Sequence, residues 1–204
     1  MGFFKKNSYQ IVRLFINQIG IAIFGLVLSF AVLTAFREKD DSVPLLLVSI
    51  FSVLFYLFLI YSVGWEIGGK ERIHLDAVKE PVRGGKGFFL MLFAQVPNLL
   101  FCAFLVAGGI IAASGNLKLG STFFCIGYFP MYFLDSMYTG ILKMLIAAIG
   151  LSEETDAFYY FAASLCYLAT TLPAILVSGF SYWMGVHEKR IIPAKTHVPP
   201  TDET

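Results

Sequence analysis

The chain has 204 residues, of which 57% are hydrophobic and only 14% are charged. Soluble domains carry about 25% charged residues, so this composition excludes an ordinary soluble protein and is typical of a membrane protein. The fifteen Lys and Arg residues nearly balance the fourteen Asp and Glu residues. This balance argues against a nucleic-acid partner, because binding phosphates requires a basic face.

Four apolar runs are long enough to cross a bilayer as helices. About 20 apolar residues cover the hydrocarbon core, and this length is met by residues 14–36, 44–65, 87–113 and 157–186. Only helices or closed barrels satisfy the backbone hydrogen bonds in lipid, and these runs lack the alternation of barrel strands. The sequence therefore predicts an all-α protein, a polytopic membrane helical bundle.

Segment 119–150 is too long for one span and too short for two. Pro130, Asp135 and Gly140 divide it into two short arms. Membrane proteins concentrate Lys and Arg on the cytoplasmic side. If the segment enters and returns as a short helical hairpin, twelve of the fifteen basic residues lie on that side. We therefore predict six membrane segments, of which the fourth and fifth are short, or a re-entrant hairpin with Asp135 buried at its tip.

This arrangement predicts a multi-pass protein of the cell membrane with both termini in the cytoplasm. Residues 1–192 form a single transmembrane domain in this prediction. The polar, proline-containing tail 193–204 is predicted to be disordered, because it has too few apolar residues to form a packed core.

Polar residues inside a membrane are costly and are frequently functional. Asp135 and Lys143 are the charged residues of segment 119–150. In one interpretation they form an acid–base pair that lines a pathway for a proton, an ion or a polar solute. In the other, Asp135 lies at a cytoplasmic turn and Lys143 extends to the lipid headgroups.

Gln95, Pro97 and Asn98 lie within one turn of the third predicted span. Pro97 removes one helix hydrogen bond, and broken spans are common at transporter binding sites. Gln95 and Asn98 either bond other helices at an ordinary bend or bind a solute. The candidate substrate-binding residues are Gln95, Asn98, Asp135 and Lys143.

Segment 66–86 is the longest polar stretch between the predicted spans. Residues 70–80 are predicted to form a short helix between the stop signals Gly68–Gly69 and Pro81. This helix either lies on the inner leaflet or docks a protein partner. The candidate docking residues are Lys70, Arg72, Ile73, Leu75 and Val78.

No catalytic, nucleotide-binding or metal-binding motif is present in the sequence. The three cysteines lie inside apolar runs, and the three histidines are scattered. We therefore expect no enzymatic activity, no cofactor and no metal, with the lipid bilayer as the surroundings. Two functions fit: a solute-handling component (a small transporter or the membrane subunit of a transport complex), or a non-catalytic accessory or scaffold protein that docks a cytoplasmic or membrane partner.

Overall fold

The computed structural model describes residues 3–36, 43–78, 85–150 and 157–188. These residues form helices and short connections, with no strand among them. The α-helices are α1 (Phe3–Ala35), α2 (Val43–Val78), α3 (Lys86–Ala94), α4 (Val96–Ala113), α5 (Leu117–Leu134), α6 (Thr139–Ile149) and α7 (Ala157–Val186). A 3-10 turn, Ser136–Tyr138, connects α5 to α6. The prediction of an all-α protein is confirmed, whereas the tail 193–204 lies outside the described residues.

Four helices, α1, α2, α4 and α7, are long and apolar enough to cross a membrane. Their outward faces carry large exposed apolar side chains, such as Phe30, Phe58 and Leu176. In water, a contiguous apolar surface of this kind would cause association. The helices therefore support the prediction of a membrane-embedded protein.

The segment that contains α5 and α6 is one further candidate span, but it is bent by 84° at its break. The predicted count of six membrane segments is not confirmed, because the structure has four candidate spans, or five if the bent pair is one span. The arms also do not run back to back as in the predicted hairpin. The bend is close to a right angle and not a reversal.

Contacts between α1 and α2 show that these helices are antiparallel. Arg13 of α1 pairs with Glu66 of α2 at one end of the bundle. Further along α1, the ring of Phe24 lies 5.9 Å from the ring of Phe55, which precedes Glu66 on α2. The start of α1 therefore lies at the same end of the bundle as the second half of α2.

Helices α2 and α7 are parallel and approach each other at glycines. Gly64 packs against Ser181, and Gly68 packs against Gly185 one turn later. The prediction that Gly68–Gly69 ends a helix is wrong, because α2 continues through both residues. Gly68 instead lets the two backbones come close, which small residues commonly do between membrane helices.

The bent pair starts at the end of the bundle where α7 also starts. Gly120, near the start of α5, packs against Ala112 at the end of α4. Phe161, near the start of α7, packs against Gly109 of α4. Because α4 ends where α7 begins, α5 and α7 start at the same end of the bundle.

The prolines have different effects on the helices. Pro97 lies in the first turn of α4, where a missing N–H costs no helix hydrogen bond. The predicted interruption of the third span is thus confirmed, with α3 ending at Ala94 and α4 beginning at Val96. Pro130 and Pro173 lie inside α5 and α7, and both helices continue through them.

Candidate functional site

A cavity of about 590 Å³ lies between α5, α6 and α7. The residues that line it recur at intervals of three or four along each helix, so each helix presents one face to the cavity. We call it the Asp135 cavity. Its polar and aromatic walls include Tyr128, Tyr132, Asp135, Lys143, Tyr159 and Tyr167.

The Asp135 side chain is buried where α5 ends, with the residue only 3% exposed. Thr170 Oγ1 donates a hydrogen bond to Asp135 Oδ2 at 2.7 Å. Thr170 lies close to the midpoint of α7, so the carboxylate lies deep in the bundle. The interpretation of Asp135 as a residue of an exposed cytoplasmic turn is wrong, because other helices enclose it.

The segment that follows Asp135 is fixed by hydrogen bonds to two other helices. Ser136 Oγ donates to the carbonyl oxygen of Ala22 in α1. The backbone N–H of Gly140 donates to Ser49 Oγ of α2 at 2.6 Å. Together with Thr170 of α7, these contacts hold the bend between α5 and α6 in place.

Lys143 is exposed and lines the same cavity from α6. The structure therefore brings together the two charged residues that the sequence singled out. Their side chains do not form a salt bridge, and no other cation among the described residues pairs with Asp135. The carboxylate and the ammonium group are thus separate groups on the wall of one cavity.

Tyrosine rings connect α5 to α7 beside the cavity, and sequence reasoning missed them. Tyr128 of α5 meets Tyr167 of α7 edge to face, with ring centroids 5.9 Å apart. Tyr132 lies one turn further along α5, 5.8 Å from Tyr128. The signal was present in the spacing, since Tyr128 and Tyr132 are four apart and Tyr159 and Tyr167 are eight apart, which places each pair on one helix face.

Gln95 and Asn98 are buried in the core and do not line the Asp135 cavity. Gln95 Nε2 donates to the hydroxyl of Tyr56 at 3.3 Å. Neither polar atom of the Asn98 side chain has a hydrogen-bond partner among the described residues. The structure therefore separates these two residues from Asp135 and Lys143, and their role in substrate binding stays a prediction.

The candidate docking residues lie on the last turns of α2, which take the place of the predicted separate helix. Lys70 and Ile73 line a groove of about 520 Å³, and Ile73 is 72% exposed. Arg72 is partly buried, and Leu75 is buried at 8% exposure, so Leu75 is not part of an exposed docking face. The structure does not describe the side chain of Val78.

Ion pairs tie this end of α2 to two neighbouring helices. Glu66 accepts hydrogen bonds from Arg13 at 2.8 Å and from Lys70 at 2.6 Å. Lys86 of α3 pairs with Glu71 of α2 at 2.5 Å. These charged side chains therefore have structural partners within the chain.

The described part of the chain contains no cluster of three His, Cys, Asp or Glu side chains able to hold a metal ion. No protein-family model matches the sequence. No curated protein and no solved structure matches the chain either. Its function is therefore argued from the cavity and from the surfaces of the bundle, because function depends on sites and not on architecture alone.

Proposed function

We propose that the protein is a solute-handling membrane component, either a small transporter or the membrane subunit of a larger transport complex. The observation that carries this proposal is the Asp135 cavity, where a carboxylate and an ammonium group share one space inside an apolar bundle. Small-molecule sites are mostly apolar cavities of roughly 300–1,000 Å³ with a few convergent polar groups. The cavity fits this description in size and in lining.

The bent pair supports the same function. Helix breaks within a membrane are tolerated where the backbone lines a cavity or is buried in protein, and they are frequent at transporter binding sites. Asp135 lies at such a break and faces the cavity. In this proposal the pair is a re-entrant segment, and residues 1–13, 66–86 and 187–204 lie in the cytoplasm because they carry most of the Lys and Arg.

The proposal is tested by native mass spectrometry of the full chain in lipid nanodiscs. The wild-type protein should retain a small molecule that is absent from Asp135→Asn. Ser62→Ala is the control, because Ser62 is exposed and its hydroxyl bonds only the carbonyl of Phe58. Undiminished retention of the molecule in Asp135→Asn would contradict the proposal.

A second function, an accessory protein that docks a partner, has one observation in its favour. Ile73 is largely exposed beside the groove at the end of α2, which lies at the predicted cytoplasmic end of the bundle. A protein partner that co-purifies in a fixed ratio, and that Ile73→Glu releases while the bundle stays folded, would favour this function. Co-purification that is unchanged by Ile73→Glu would remove its support.

A further inference from the structure

We infer that the Asp135 cavity selects a solute that carries an ammonium group on an apolar or aromatic body. The inference rests on the proposed function, because it names the class of solute for the same cavity. Three features carry it: an unpaired buried carboxylate, a wall of tyrosine rings, and a second charge placed away from the carboxylate.

The carboxylate of Asp135 has no counter-charge among the described residues. Thr170 donates to one of its oxygens, and the residue borders the cavity. A buried carboxylate without a cation is costly, because burial removes its hydration. An ammonium group supplies both a positive charge and N–H donors, and hydrogen bonds between charged groups are the strong ones. An anionic solute would instead add a like charge.

The tyrosine rings suit the rest of such a solute. Four of them line the cavity, from α5 and from α7: Tyr128, Tyr132, Tyr159 and Tyr167. The face of an aromatic ring attracts a cation and also packs against apolar or aromatic groups. A cavity of about 590 Å³ has room for a single aromatic ring with a short alkyl amine.

Lys143 determines the orientation of the solute. It is exposed on α6, whereas Asp135 is buried beside the midpoint of α7. A single positive charge is therefore attracted to the carboxylate and repelled by Lys143. A zwitterion would use both residues, so a Lys143 variant distinguishes the two kinds of solute.

The cavity also reaches the outer surface of α5. Phe129 lines it and is 81% exposed, so the cavity borders the lipid. The ammonium group can therefore come from a free amine or from the headgroup of phosphatidylethanolamine. Both sources share the chemistry that Asp135 requires, and the lipid composition of the nanodiscs separates them.

The experiment uses the full chain in nanodiscs of phosphatidylglycerol, which has no ammonium group, with empty nanodiscs as the blank. Isothermal titration compares phenethylammonium with its neutral analogue 2-phenylethanol and its anionic analogue phenylacetate. Phenethylammonium should bind most tightly. Asp135→Asn should weaken it by about 10- to 100-fold, as expected for loss of a hydrogen bond between charged groups, and should leave 2-phenylethanol unchanged.

A second pair of variants keeps the test valid if Asp135→Asn does not fold. Tyr132→Leu should weaken phenethylammonium by about two- to fivefold, because it removes a cation–π contact. Tyr132→Phe keeps the ring and should bind normally. Lys143→Gln should leave the affinity for phenethylammonium unchanged or higher.

Different outcomes of this experiment test the class of solute and the proposed function. Equal binding of the three probes, or a preference for phenylacetate, overturns the ammonium class and retains the cavity as a binding site. Binding of no probe overturns the proposed function as well.

The lipid composition of the nanodiscs identifies the source of the ammonium group. Weaker phenethylammonium binding in nanodiscs with phosphatidylethanolamine identifies the lipid as the source, and unchanged binding identifies a free amine. Both results support the inference.

Discussion

Thr170 Oγ1 donates a hydrogen bond of 2.7 Å to Asp135 Oδ2, near the midpoint of α7. This bond is the one side-chain hydrogen bond to the carboxylate among the described residues. We therefore expect Thr170→Val, which has nearly the same shape, to lower the free energy of unfolding by about 1–3 kcal/mol. Thermal unfolding in a mild detergent measures the effect.

Thr171→Val is the matched control. The Thr171 hydroxyl bonds only the carbonyl oxygen of Leu168, at 2.8 Å, and Thr170 makes the same type of local bond to Tyr167. The difference in stability between the two variants therefore reports the contact with Asp135. Equal losses in both variants would show that this contact does not stabilise the fold.

Asn98→Leu should raise the stability of the protein. The Asn98 side chain is buried, and neither of its polar atoms has a partner among the described residues. A buried polar group without a hydrogen bond costs about 1–3 kcal/mol, and an apolar residue of similar volume avoids this cost. Unfolding in a denaturant series measures the change. A clear loss of stability would contradict this expectation.

Gly68→Ala should destabilise the bundle by about 1–3 kcal/mol, as overpacking commonly does. A Cβ atom at Gly68 would overlap the backbone of Tyr182 in α7. Gly20→Ala is the control, because Gly20 lies in α1 with nothing within 4 Å of the added carbon. It should be neutral or stabilising by up to about 1 kcal/mol, since alanine favours helices. Equal effects in thermal unfolding would argue against a close contact between α2 and α7.

The ion pairs Lys86–Glu71 and Arg13–Glu66, which join α2 to two other helices, should differ in strength. The Lys86 and Glu71 side chains are 13% and 20% exposed, whereas Arg13 and Glu66 are each 37% exposed. Exposed pairs contribute about 0.2–1 kcal/mol, and less hydrated pairs contribute more. Double-mutant cycles with Lys86→Met and Glu71→Gln should give a larger coupling energy than cycles with Arg13→Met and Glu66→Gln. A larger coupling energy for Arg13 and Glu66 would contradict this reasoning. High salt should weaken the more exposed pair more strongly, so an equal decrease of both coupling energies would contradict it as well.

The proposed topology predicts which introduced cysteines react from outside the cell. In a cysteine-free background, Lys118→Cys and Ile149→Cys should react with an impermeant thiol reagent in intact cells. These residues are exposed near the two far ends of the bent pair. Lys70→Cys should react only after the membrane is opened. Labelling of Lys118→Cys without Ile149→Cys would show that the pair crosses the membrane.

The four helices long and apolar enough to cross a membrane could be located from the sequence, because membrane thickness sets the length of apolar helices and few other structures satisfy a backbone in lipid. The break near Pro97 and the special position of Asp135 were also visible, since proline chemistry and intramembrane charge are local signals. Asp135 and Lys143 could be selected as candidate site residues for the same reason, because they are charged residues within an apolar segment.

The right-angle bend and the tyrosine wall could not be predicted from one sequence. Both depend on which helices become neighbours, and contacts such as Ser136 with Ala22 join residues far apart in the chain. The role of Gly68 was misjudged for a related reason. A glycine reads locally as a helix stop, whereas here it permits contact with another helix.

The close approach of α2 and α7 bears on how a solute would enter the cavity in the proposed function. At Gly64 and Gly68 the two backbones meet with almost no side chain between them, so a solute cannot pass between these helices there. Helices α5 and α6 adjoin α7 across the cavity, and the bend between them is held by a few hydrogen bonds. In the proposed function a solute would therefore enter on the side of α5 and α6, where the cavity borders the lipid, and not between α2 and α7.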